Sequence, residues 1–71
     1  MWIMMDINQE FSWLIDMEYD EAVKEMLHHK PYFLYPYYYN GNDVYKTDDL
    51  NPDRLHVRVD NGIITLINGV G

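Results

Sequence analysis

The chain has no cysteine among its 71 residues. No disulfide can therefore staple a domain small enough to bury only roughly 60% of its unfolded surface. Basic residues are scarce, with five Lys and Arg against twelve Asp and Glu, a formal net charge of −7. That balance argues against nucleic-acid binding, which needs a basic footprint. It favours solubility and a basic partner surface. No apolar run approaches a membrane span. The apolar start from Met1 to Met5 lacks the basic region and the length of a signal peptide, so a cytoplasmic location is the default expectation, with no membrane partner. No phosphate loop and no nucleophile, base and orienting group are arranged in the sequence, so neither an enzyme nor a cofactor is expected. Internal repeats and low-complexity segments are also absent.

What the chain does have is packing mass. Its hydrophobic content is 48%, weighted towards seven Tyr, two Trp and two Phe, large groups that dominate small cores. One domain over residues 1–71 is expected. Residues 1–10 lack a clear period and read as an N-terminal arm.

From Tyr19 the pattern turns helical. Tyr19, Ala22, Val23, Met26 and Leu27 share one stripe at three-and-four spacing, with Asp20, Glu21, Lys24, Glu25 and His28 opposite. Asp16 is the best candidate for the N-cap, and Pro31 is expected to stop the helix. His28 and His29 suit the helix dipole and project in different directions, so they do not form a metal pair.

Tyr32 to Tyr39 is rich in strand formers. Pro36 within it implies an edge position or a bulge, and its Tyr cluster is expected to pack under the sheet, with a Tyr-rich binding face as the alternative. Asn40-Gly41-Asn42 ends that strand. Leu55, Val57 and Val59 alternate with Arg54, His56 and Arg58, as on a strand with one dry face. Asn61-Gly62 signals a type I′ hairpin, leading into an apolar strand over residues 63–67. The fold class is therefore α+β, one helix packed on a small sheet of three to four strands.

Between the second and third of these elements lies Tyr45-Lys46-Thr47-Asp48-Asp49-Leu50-Asn51-Pro52-Asp53-Arg54. This polar stretch has no hydrophobic period, and a loop this long in so short a chain is uncommon unless functional or disordered. Asp48, Asp49, Asn51 and Asp53 faintly resemble a calcium loop, but the glycine and closing Glu of that pattern are missing, and no metal is expected.

The ordered motifs resemble the potato type I family of serine-protease inhibitors. Phe11-Ser-Trp-Leu14-Ile15-Asp16 stands where that family opens, with Phe11 in place of its usual Trp. Asp20-Glu21-Ala22 and Lys30-Pro31 match its helix. Thr47-Asp48-Asp49-Leu50 followed by Asp53-Arg54-Leu55-His56-Val57 matches its binding loop and the strand beyond, and Val70-Gly71 matches its ending. The resemblance covers about residues 11–71. It implies a mixed sheet whose parallel strands flank an exposed reactive loop over Tyr45, Lys46, Thr47, Asp48, Asp49, Leu50 and Asn51. The scissile position falls at Asp48-Asp49, and Arg54, His56, Arg58 and Gly71 support the loop. The implied partner is a serine endopeptidase. The chain departs from the family in a segment before Thr47 that is about two residues longer, in His56 replacing a second arginine, in Asn68-Gly69 replacing Pro-Arg, and in an acidic residue at Asp48.

These departures have chemical consequences. An inhibitory loop must already hold a substrate-like shape, so that little order is lost on docking. Without disulfides, hydrogen bonds must hold it, and an Arg54 guanidinium reaching the Asp49 carboxylate or the Thr47 hydroxyl would do so. His56 is expected to add a bond that tightens at mildly acidic pH. An apolar specificity pocket accepts the Asp48 carboxylate poorly. That favours a permissive subtilisin-like target, or one preferring acidic residues, over a chymotrypsin-like enzyme. Two other readings stand beside this one: a non-inhibitory interaction module on the same fold, and an acidic decoy for a basic surface.

Overall fold

The structure, a computed structural model, describes residues 6–44 and 49–71. In chain order it contains α1 (Ile7–Glu10), a single 3-10 turn (Ser12–Leu14), α2 (Tyr19–Met26), β1 (Phe33–Tyr39), β2 (Asn42–Asp43), β3 (Arg54–Asp60) and β4 (Ile63–Val70). The strands form one mixed sheet in the order β2-β1-β3-β4. β1 and β3 are parallel, and the other two pairings are antiparallel. This is a small α+β fold with one main helix. The parallel pair sets the geometry of the rest. β1 and β3 start at the same end of the sheet, so the chain leaving β2 must return the length of a strand before β3 can begin.

Two Asn-Gly turns sit at the opposite end. Asn61 and Gly62 have φ of 52° and 77°, and Asn40 and Gly41 have φ of 49° and 93°. Both centres are left-handed, as a two-residue type I′ turn requires. The first was expected. The second makes Asn40-Gly41 a hairpin into β2 rather than a simple strand end. The Asn40 side chain also accepts a hydrogen bond from the Gly62 amide at 2.8 Å, which joins the two turns.

The helix departs from its expected limits at both ends. Asp16 is not the N-cap. Its backbone is left-handed (φ 73°) and its amide donates to the Ile64 carbonyl at 2.8 Å. Glu18 occupies the N-cap without a side-chain bond, because residues 16–19 are tied to the start of β4: Ile64 N donates to Met17 O at 2.9 Å and Tyr19 N to Gly62 O at 2.8 Å. At the other end α2 closes at Met26, ahead of Pro31. Leu27, His28 and His29 donate three residues back, to Lys24, Glu25 and Met26, so the last turn tightens before the proline is reached. Residues 7–10, expected as part of an arm, form a short helix capped by Asp6. Asn8 Oδ1 accepts from Gly69 N at 2.8 Å, fixing that helix to β4.

The core lies over β3 and β4. Phe11, Leu14, Ala22, Met26, Leu55, Val57, Val59, Ile64 and Ile67 form it. β4 is less buried than its composition implied, with Leu66 half exposed, because it is an edge strand with one open face. A register shift in its pairing with β3 lets Ile64 and Ile67, three residues apart, both point inward. β1 shows the irregularity that Pro36 implied, a register shift against β3 between Pro36 and Tyr38. Its tyrosines are half-buried rather than packed in the core. Tyr35 and Tyr37 lie against His56, Tyr38 lies under Arg58, and Tyr39 meets Tyr19 edge-on.

Leu14 and Leu27 separate core from surface. Leu14→Ala should lower unfolding free energy by about 2–5 kcal/mol in urea titrations. Leu27→Ala, at a position 63% exposed, should change it by less than about 0.5 kcal/mol.

Candidate functional site

β3 was expected to carry Arg54, His56 and Arg58 on a polar face. The structure covers that face at its first two positions: Arg54 is 7% exposed and His56 5%. A buried charge must be paired and hydrogen-bonded, and Arg54 is both. Its Nε donates to the Gly71 main-chain oxygen at 2.8 Å and its Nη2 to the Asp49 carbonyl at 2.7 Å. Nη1 stands 3.8 Å from the Asp49 carboxylate. The guanidinium lies 5.2 Å from the centre of the Tyr35 ring, within range of a cation–π contact.

The contact with Asp49 differs in kind from the expected one. The short bond goes to the backbone of the loop, and the largely exposed carboxylate is a looser second partner. An exposed partner at that distance adds little. The bond to the carbonyl fixes the chain itself.

His56 reaches Gly71 rather than the loop. Its Nε2 lies 2.7 Å from the Gly71 oxygen, which can only accept, so Nε2 must carry a proton. A neutral ring supplies that proton in one tautomer. Gly71 is thus the shared acceptor of Arg54 and His56. Its own amide donates back to the Arg54 carbonyl at 3.1 Å, closing a compact knot where β3 starts and β4 ends. Just before β3, Asn51 Oδ1 accepts from Asp53 N at 3.0 Å and Asn51 O accepts from Arg54 N at 3.1 Å, a side-chain-supported turn that leads the loop into the strand. Leu50 is exposed beside it.

Arg58, grouped with the loop supports by sequence, is engaged at the far end of the strand. It bonds Asp60 through Nε at 2.9 Å and Nη2 at 3.4 Å and covers the Tyr38 ring at 4.1 Å. Thr65 donates to the same Asp60 carboxylate at 2.5 Å. Residues two apart share a strand face, so the Arg58-Asp60 pair was readable from spacing alone. The same parity, carried across the parallel register from His56 to Tyr35, would have found Tyr35, which sequence reading missed.

Tyr45, Lys46, Thr47 and Asp48 of the expected loop lie outside the described residues, as do residues 1–5. Among the described residues, no group of three or more His, Asp or Glu lies close enough together to hold a metal ion. No helix there is long and apolar enough to cross a membrane. Comparison of the chain with protein families, curated proteins and solved structures returns no match.

Hydrogen bonds from Arg58 and Thr65 hold the Asp60 carboxyl below its ordinary value of 3.8. A lowered folded-state pKa gives stability that is present above the unfolded value and lost as pH falls through the folded one. In unfolding curves between pH 6 and 2.5, the wild-type chain should therefore lose a component below about pH 3.8 that Asp60→Asn does not show.

Proposed function

We propose that the chain is a serine-endopeptidase inhibitor acting through a substrate-like loop over residues 45–51, with Asp48-Asp49 at the scissile position. The observation that carries the reading is the 2.7 Å bond from the buried Arg54 guanidinium to the Asp49 carbonyl. An inhibitor of this kind is a substrate that docks well and is turned over badly. The segment after the scissile bond must keep its place before and after cleavage, so that the new amine stays near the acyl group and religation competes with hydrolysis. A guanidinium bonded to the backbone there, and anchored behind by Gly71, serves that need without a disulfide. Pre-ordering also reduces the entropy lost on docking.

Asp48 narrows the target. A buried carboxylate without a partner costs several kcal/mol to desolvate. The suited enzymes are those with a basic primary pocket or a permissive subtilisin-like one. The acidic residue at this position also favours a second reading, a non-inhibitory interaction module that keeps the fold and presents the same loop to another protein.

Inhibition constants against subtilisin-like, chymotrypsin-like and Glu/Asp-preferring proteases, measured for the wild type and Asp48→Leu, test the reading. The leucine variant should inhibit the subtilisin-like enzyme more strongly. Arg54→Ala should be cleaved at the loop at least about tenfold faster, as expected when one strong positioning bond is lost. Failure of both wild type and Asp48→Leu to bind any enzyme of the panel would remove the inhibitor reading and leave the module.

A further inference from the structure

The other face of the sheet carries a feature that the loop does not use. The sequence stripe of α2 predicts five inward residues, but only Ala22 and Met26 are fully buried. Val23 is 41% exposed and Leu27 63%. The cause lies in β1, which supplies only the partly buried Leu34 to the core, so the outer half of the stripe overhangs the start of that strand and no side chain among the described residues covers it. The result is an open apolar groove of about 450 Å³ lined by Tyr19, Val23, Met26, Leu27, Pro31 and Leu34. That volume falls within the range of about 300–1,000 Å³ typical of binding clefts.

Charge divides the groove. Lys30 lines it beyond the C-terminal end of α2. At the N-terminal end, Tyr19 is shared with a smaller hollow lined by Glu18 and Asp20. Among the described residues, Glu18, Asp20 and Lys30 take part in no ion pair. The eight residues of α2 separate the two ends by about 12 Å. An apolar floor thus runs between two acids and one base.

We propose that this groove receives a short apolar segment of a partner protein that carries a basic side chain at one end and a carboxylate at the other. The basic group meets Glu18 and Asp20, the apolar side chains enter beside Val23 and Leu27, and the carboxylate meets Lys30. A second copy of this chain fits less well, because each copy brings a charge of −7 and the two repel. The groove lies on the Leu34 face of β1, whereas Arg54 and His56 meet Tyr35 on the other. The residues of the groove are thus not those that brace the loop, and the proposal stands or falls independently of protease inhibition.

Three synthetic peptides, acetylated and amidated, provide the test: Arg-Leu-Trp-Leu-Glu, Arg-Leu-Trp-Leu-Arg and Glu-Leu-Trp-Leu-Glu, each titrated into isotope-labelled protein with amide shifts as the readout. The mixed-charge peptide should shift the amides of Tyr19, Val23, Leu27 and Lys30 and bind about tenfold more tightly than either control. Lys30→Glu should transfer the preference to the doubly basic peptide. Val23→Asp, a surface change, should abolish binding with an unchanged circular dichroism spectrum. Absence of shifts up to about 1 mM peptide, or equal affinity for all three, would overturn the proposal. So would a doubled sedimentation mass abolished by Val23→Asp, which would make a second copy the occupant.

Discussion

Everything near the loop depends on one buried cation. Taking a guanidinium out of water is unfavourable by several kcal/mol unless its donors are met. Arg54 is tolerated because, among the described residues, separate parts of the chain meet it: the loop through Asp49, the end of β4 through Gly71, and the face of β1 through Tyr35. The dependence is mutual. Each of those segments is positioned by the need to satisfy the same group, so removing one contact leaves a buried charge short and loosens the other two. A hydrophobic residue at this position could fill the space but could not fix a backbone carbonyl in place.

The two ends of the sheet are stabilised by different chemistry. At one end, two left-handed Asn-Gly turns are joined by the Asn40 side chain. That arrangement needs no charge and holds the ends of β1 and β3 in line. At the other, charge-assisted bonds hold an irregular segment with little apolar burial of its own. Between them, core side chains from β3 and β4 pack against Phe11, Leu14 and α2. β1 pairs closely with β3 yet contributes little to that core, which accounts for both the open groove and the half-exposed tyrosines.

Much of this architecture was legible in the sequence. Alternation marked Leu55, Val57 and Val59 as the buried face of β3, and Asn61-Gly62 named its own turn type. Ala22 and Met26 were readable from helical spacing. The rest escaped for reasons of tertiary context. Nothing local tells that Asp16 adopts a left-handed backbone to bridge β4, or that a two-residue β2 forms after Asn40-Gly41. The stripe of α2 gave no sign that Val23 and Leu27 would lack a partner, since period reports which residues share a face and not whether anything covers it. In the candidate site, the reach of Arg54 to Asp49 was implied by the resemblance to the inhibitor family and by the alternation of β3. The choice of carbonyl over carboxylate, and the convergence of Arg54 and His56 on Gly71, required the sheet to be assembled.

The shared acceptor at Gly71 also bears on how the chain reaches this shape. The bonds of the brace span five, fifteen and seventeen residues, and all fall within residues 49–71, the β3–β4 hairpin and the residues that flank it. The parallel pairing of β1 with β3 joins Phe33 to Arg54 and Leu34 to Leu55, which are farther apart along the chain. Closing shorter loops loses less chain entropy, and contacts of low sequence separation tend to form sooner. The brace thus belongs to a local folding unit. The end of the loop next to β3 can be organised by its own hairpin before the strand on its other side has docked.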